Sequence, residues 1–218
     1  MLNAIFFYLL NILLLTNDRD GDLVLVDCGG EYNNYASDIT RTWPVNGKFT
    51  EPQQKLYQAV LNVNKTCIKV KKKASTHFYH YTNELTCLQL CTEEANISLH
   101  GIHSVSTRLM KEELTKIGFK TSTWELERIL YPHHVGHYLG LDVHDCHDLD
   151  RSRKLKRNMV VTIEPGLYVP FDDRFPREYQ GIAIRIEDNC VVGTDEPYVL
   201  TATAPKEIVD IEYCCANN

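Results

Sequence analysis

Residues 159–166 read Met-Val-Val-Thr-Ile-Glu-Pro-Gly, and the step from Ile163 to Glu164 governs the reading of the chain. The apolar run is that of a buried strand, and Pro165-Gly166 supplies the turn chemistry that ends it. A carboxylate at the end of such a strand is costly unless something neutralises it. The pattern recurs twice. Leu23-Val24-Leu25-Val26 runs into Asp27, and Ile184-Arg185-Ile186 runs into Glu187. Gly181 to Glu187 alternates tightly and is expected to be the partner strand of Met159–Ile163. Three charged strand ends of one type call for a common partner, and a cation is the simplest.

The spacing agrees. Asp38 follows Asp27 by 11 residues across the turn formers Gly29-Gly30 and Asn33-Asn34, so the two can face one another on a hairpin. Glu164 and Glu187 flank a loop holding Pro170, Asp172-Asp173 and Pro176. Each half of the chain thus offers a carboxylate pair. Four carboxylates are too much negative charge for one divalent ion, but they suit two hard divalent metals bridged by shared carboxylates. Between the pairs lies Pro132-His133-His134-Val135-Gly136-His137-Tyr138-Leu139-Gly140-Leu141-Asp142-Val143-His144-Asp145. Four histidines within twelve residues, threaded by glycines, exceed what a surface loop needs. A histidine among oxygen ligands favours Mn²⁺, Co²⁺ or Zn²⁺ over Mg²⁺.

Outward from these segments the chain alternates helices with hairpins, which is α+β or mixed α/β organisation. Thr50-Glu51-Pro52-Gln53 is a helix start, with Leu56, Val60, Val63 and Cys67 at helical spacing and Lys69–Lys73 as a basic end. A second helix is expected from about Ser104 to Leu114, stopped by Gly118. At 218 residues the chain is one generous domain or two small ones. Its net charge of −6 argues against a nucleic-acid partner. The eight cysteines show no C-x-x-C spacing, which disfavours a zinc ribbon or thioredoxin-type motif. Two glycosylation sequons, at Asn64 and Asn96, do not settle the compartment. Ala4 to Leu15 is an apolar run too short to span a bilayer, and no basic n-region or small-residue cleavage site accompanies it.

Five stretches together resemble the M24 metallopeptidases, the pita-bread family. They are Asp27-Cys28-Gly29, Tyr35-Ala36-Ser37-Asp38-Ile39-Thr40-Arg41-Thr42-Trp43, His133 to Gly140, Thr162-Ile163-Glu164-Pro165-Gly166 and Arg185-Ile186-Glu187-Asp188. Their order and spacing match from Asp22 to about Glu212, and their wording is most like the aminopeptidase P group, in its mitochondrial type 3 branch. The resemblance implies a curved, mostly antiparallel sheet flanked by helices. It implies that Asp27 chelates one of two divalent metals, that Asp38 and Glu187 bridge both, and that His137 and Glu164 complete the second. Mn²⁺ is the first choice, with Co²⁺ or Zn²⁺ as alternatives. His133 and His144 match family residues that bond substrate and tetrahedral intermediate. Arg185 matches an arginine that orients a bridging carboxylate. The reaction implied is hydrolysis of the Xaa-Pro bond at a peptide's N-terminus by a hydroxide held between the metals. A prolidase-like dipeptidase and a non-catalytic M24-like binding protein are the rival readings. The resemblance places the chain in the mitochondrion or the cytoplasm, although it carries no clear transit or signal peptide.

The departures set further expectations. Residues 1–20 form an atypical apolar segment, and 21–216 form a catalytic domain lacking the family's usual N-terminal part. Residues 74–100 drift from the family pattern, and His80-Tyr81-Thr82-Asn83-Glu84 only echoes a family histidine segment. A weakly active chain prone to self-association follows as an expectation, with Ala4–Leu15 docked as a substitute element or left as an apolar patch.

Overall fold

The computed structural model describes residues 6–8, 20–68 and 91–217. The basic run Lys69–Lys73, the segment through His80–Glu84 and most of Ala4–Leu15 lie outside them. The architecture is α+β, with antiparallel hairpins backed by helices.

The first hairpin is built from β2 (Leu23–Tyr32) and β4 (Ile39–Pro44), with the short β3 (Tyr35–Ala36) at its tip. Asp27 pairs with Thr40 and Cys28 with Ile39. Asn33 and Asn34 both take the left-handed conformation at the turn, with φ of 50° and 66°. Asparagine tolerates that region better than most residues. A strand over Phe6–Tyr8 (β1) pairs antiparallel with Gly29–Glu31. Gly29 has no substitute, because a Cβ there would stand 1.8 Å from the Ser37 carbonyl oxygen.

The second hairpin corrects an expectation. Val160–Ile163 (β5) pairs with Asp188–Val191 (β8), while Gly166–Tyr168 (β6) pairs with Ala183–Arg185 (β7). The sequence reading had the 181–187 stretch beside 159–163, which is displaced along one hairpin arm. Both pairs share a register, so this is one long hairpin broken in the middle, where Glu164-Pro165 stands opposite Ile186-Glu187. Proline has no N–H to donate, and the ladder opens there. The freed groups turn to neighbours. Glu164 N–H donates to Val135 O at 2.7 Å, and Glu187 N–H donates to Thr40 O at 3.1 Å. The break therefore draws in both the histidine segment and the first hairpin.

Helix α1 (Glu51–Ile68) lies behind that break. Its start is as expected: Thr50 N–H donates to Gln53 Oε1 at 2.8 Å. Leu56, Val60, Val63 and Cys67 are fully buried. Asn64 shares their face, also fully buried, and its Nδ2 donates to the carbonyls of Ile163 and Ile186, the residues preceding the two glutamates. Lys206 Nζ donates to its Oδ1 at 2.9 Å. Removing this side chain strands the two buried carbonyls, while Lys206 keeps its bond to Asp188. Asn64→Ala should therefore cost about 3 kcal/mol, read from urea unfolding; a loss below about 0.5 kcal/mol would mean that the carbonyls find other donors. The burial also closes the sequon at Asn64 to a glycan in the folded state.

Helix α2 (Leu99–Lys116) begins five residues before the expected Ser104. Ser98 is the N-cap, its Oγ accepting from Gly101 N–H at 3.1 Å. A glycine in the first turns lowers helix propensity and masks the start. It is needed here, because a Cβ on Gly101 would meet the Ile97 side chain at 2.6 Å. Leu99, Ile102, Met110 and Leu114 complete the core with α1, and Gly118, at φ 99°, follows the helix end. Further on, α3 (Thr123–Glu125) runs into a π-helical turn over Leu126–Leu130, β9 (Tyr198–Val199) edges β8, and α4 (Ile208–Ala216) closes the chain.

Candidate metal centre

The carboxylates converge because of the hairpin break. Along the first hairpin Asp27 and Thr40 are directly paired, so their side chains share a face, and Asp38 lies two residues from Thr40 on that face. The histidine segment is laid along β5: Leu139 N–H donates to Val160 O, and Thr162 N–H to His137 O. Gly136 permits this approach, since a Cβ there would stand 1.9 Å from Thr162 O.

Asp38, His137 and Glu187 offer ligand atoms that all lie within 4.8 Å of one another. His137 Nε2 is 3.4 Å from Asp38 Oδ2 and 3.6 Å from Glu164 Oε1. Its Nδ1 is 3.0 Å from the Tyr138 carbonyl, which can only accept, so Nδ1 carries the proton. In the neutral ring the Nε2 lone pair then faces two carboxylate oxygens, an arrangement that needs a cation or a proton between them. Asp27 adjoins Asp38 and is held by Arg185, whose Nη2 lies 2.5 Å from Asp27 Oδ2.

The electrostatics carry the same message. Glu187 is 1% exposed, and its Oε1 has no hydrogen-bond partner among the described residues. Burial, then the charges of Glu164 and Asp38, push its carboxyl well above the ordinary range. Burial pushes Glu164 up to about 7, with His137 and Arg185 opposing and Asp38 and Asp27 adding. Asp27 is raised by burial despite Arg185. For His137, burial alone would lower the pKa, but the Asp38 bond, the Tyr138 carbonyl and the charge of Glu164 raise it on balance. Acids that resist ionising beside a histidine that gains a proton mark a cluster short of positive charge. Four carboxylates and one imidazole gather here, of which Asp38, His137 and Glu187 are the group placed to hold one ion together, and hard or borderline divalent metals suit oxygen and imidazole donors.

The other expected residues surround this cluster. Arg185 reaches Asp27 directly and Glu187 through Thr40: its Nε donates to Thr40 Oγ1 at 3.1 Å, and that hydroxyl donates to Glu187 Oε2 at 2.6 Å. Arg185 Nη1 also donates to the Tyr168 hydroxyl at 2.8 Å. His133 Nδ1 faces the His134 carbonyl, so its Nε2 accepts from Tyr168 at 2.9 Å. Burial lowers His133 to about 4, which keeps it neutral. A substrate contact at His133 Nε2 must displace the Tyr168 hydroxyl. His144 stands edge-on to His137, ring centroids 4.6 Å apart, in a cleft shared with Tyr138, His147 and Leu149.

Three residues of the site escaped the sequence reading. Thr40 and Tyr168 link Arg185 to its neighbours, and Asn189 clasps the Asp38 backbone, accepting from its N–H at 3.1 Å and donating to its carbonyl. Thr40 had a signal, since it falls on the Asp38 face two residues on. Tyr168 and Asn189 had none.

Beside the site, His134 and His103 stack with centroids 4.5 Å apart, and His134 Nε2 and His103 Nδ1 are buried without hydrogen-bond partners among the described residues. Burial lowers His134 to about 4 and lowers His103 as well. The unfolded chain therefore binds these protons first. Their contribution to stability is full above about 6.5 and is lost as pH falls toward about 4. The thermal midpoint should drop over that window, and His134→Gln should flatten the drop; an unchanged slope would mean that other groups cause it.

Comparison with known proteins places this geometry. Metallopeptidase family M24 matches residues 16–194. This chain belongs to that family. Intermediate cleaving peptidase 55 of Schizosaccharomyces pombe is 48% identical over 200 residues, covering 91% of this chain and 37% of the relative. Xaa-Pro aminopeptidase 3 of Mus musculus is 44% identical over 203 residues, covering 91% and 36%. The crystal structure of Icp55 from Saccharomyces cerevisiae bound to the inhibitor apstatin superposes with a TM-score of 0.79 at 42% identity, covering 99% of this chain and 49% of that one. The chain thus spans about a third to a half of the length of the M24 proteins it matches, and its fold is the pita-bread fold of the family.

Proposed function

We propose that this chain carries the metal centre of an aminopeptidase that releases the first residue of peptides with proline second. Asp27, Asp38, His137, Glu164 and Glu187 would hold two divalent ions, Mn²⁺ first with Co²⁺ or Zn²⁺ as alternatives. The observation that carries the proposal is the cluster itself: the Glu187 oxygen, without a hydrogen-bond partner among the described residues, and the His137 lone pair call for a cation or a proton. The names of the two curated relatives, a peptidase and an Xaa-Pro aminopeptidase, support the substrate class.

Bound metals supply a Lewis acid and an activated water for hydrolysis of the amide. The chain's own residues do the rest. Arg185 and Thr40 fix Asp27 and Glu187, and Asn189 fixes the Asp38 backbone. His144 is lowered by burial and by the nearby His137, so it is neutral at pH 7 and offers one N–H to a developing oxyanion. Tyr168 and His133 form a hydroxyl–imidazole pair on the wall beside Arg185, where a substrate N–H could take the hydroxyl's place as donor to His133 Nε2.

Metal addition tests the centre without requiring turnover. Binding to the folded state alone, at a hundred times Kd, stabilises by about 2.7 kcal/mol. For a domain of this size that is a rise of roughly 5–10 °C in Tm over the chelator-treated protein. Hydrolysis of an Xaa-Pro-Xaa peptide against an Xaa-Pro dipeptide separates aminopeptidase from dipeptidase. No shift in Tm with Mn²⁺, Co²⁺ or Zn²⁺ would overturn the metal centre, and a shift without hydrolysis of either peptide would leave a binding protein.

A further inference from the structure

Several side chains tie together the two hairpins that bring the carboxylates together, among them Arg41, which is none of the proposed ligands. Arg41 lies on β4, three residues after Asp38. Its Nη1 donates to the Glu187 carbonyl at 2.5 Å and to the Thr40 carbonyl at 2.9 Å. Its Nη2 donates to Asp188 Oδ1 at 2.8 Å and to the Ala204 carbonyl at 3.1 Å. Its Nε donates to the Pro205 carbonyl at 3.1 Å. A guanidinium has five N–H groups, so all its donor capacity is spent, four-fifths of it on backbone. The side chain is 12% exposed, and its counter-charge, the Asp188 carboxylate, is fully buried. Lys206 and Thr201 bind the same carboxylate.

The placement of these bonds matters more than their number. Glu187 sits at the break of the second hairpin, between the β6–β7 and β5–β8 ladders and in neither of them. Its N–H is held by Thr40 O, and Arg41 holds its carbonyl. Both main-chain groups of Glu187 are therefore tied to the Thr40-Arg41 step of the strand that follows Asp38. The distance between the two acids proposed to bridge the metals depends on that tie.

Resting on the metal-centre reading above, we propose that Arg41 is a positioning residue for metal binding: it sets the separation of Glu187 from Asp38 by fixing the Glu187 backbone, without touching a metal. Lysine keeps the charge but is a point donor on a flexible stem, and it cannot span carbonyls on three segments.

The test is metal titration of Arg41→Lys and Arg41→Gln by calorimetry, with the absorption spectrum of the Co²⁺-loaded protein recorded alongside. Tyr57→Phe is the control. It removes the bond from the Tyr57 hydroxyl to the Lys206 carbonyl at 3.0 Å and leaves the Arg41 hydrogen bonds in place. The expected result is a folded R41K with metal affinity at least tenfold weaker and a shifted Co²⁺ spectrum, while Y57F, though destabilised, binds as the parent does. Parent-like affinity and spectrum in R41K would overturn the proposal. So would loss of fold in both Arg41 variants, since Arg41 would then hold the fold as a whole. Equal weakening in Y57F would overturn it too, by reducing the effect to stability. Failure of the unsubstituted protein to bind metal would instead overturn the metal centre itself.

Discussion

Glu187→Ala and Asp38→Ala should each abolish peptide hydrolysis and lower the metal content by at least one ion per chain. Each acid lies in the cluster of Asp38, His137 and Glu187, and each is proposed to bridge the two ions. Without either, three carboxylates are left for two divalent cations, and the remaining ligands no longer share an anchor. Stability should move the opposite way in the chelated protein. Glu187 is buried beside Glu164 and Asp38, and burial with like charge pushes its carboxyl far above the usual range. A neutral isostere relieves that repulsion, so metal-free Glu187→Gln should melt above metal-free parent at pH 7, while losing the rise in Tm that metal confers. Metal analysis, calorimetry and a peptide assay under metal-limited conditions read all three effects. Full occupancy and full turnover in either alanine variant would end the dinuclear assignment.

His144→Ala should lower turnover by about 10²-fold or more with metal content unchanged, the scale expected for the loss of one oxyanion donor. The ring lies edge-on to His137 and lines the adjoining cleft, yet it is not in the three-residue ligand cluster. Its neutral state at pH 7 suits a hydrogen-bond donor. The loss should fall on kcat rather than KM if the contact strengthens as charge develops on the carbonyl oxygen. Loss of bound metal in this variant would make His144 a ligand, and unchanged kcat would remove it from the reaction.

Much of the candidate site was legible along the chain. Asp27, Glu164 and Glu187 betray themselves because each follows an apolar run, where an unneutralised charge is expensive. That cost is local, so it shows in a few neighbouring letters. His137 was legible for a related reason: glycines that a packed segment needs, Gly136 among them, surround it. The start of α1 was legible from Thr50 and Gln53 because the bond from the Thr50 N–H to the Gln53 side chain spans only three residues. The start of α2 was not, because Gly101 answers to Ile97 packing rather than to helix propensity.

What could not be read has a different cause. Pairing of the 181–187 stretch was placed along the wrong part of its hairpin, since alternation reveals a strand but not its partner. The break at Glu164-Pro165 looks like an ordinary turn in the letters. Only in three dimensions does it become the junction that Asn64, Thr40 and Val135 complete. Arg41 and Thr40 reach residues 146 and 147 positions away, and Asn189 reaches back 151. A hydrogen bond across such a separation imposes no pattern on its own neighbours. The kinds of residue in the candidate site were thus written in the order of residues, because burying a charge penalises each apolar run separately. Their separations, and the arginine, threonine and asparagine that hold them, were decided by packing the two hairpins against each other, because those bonds exist only once the distant strands have met.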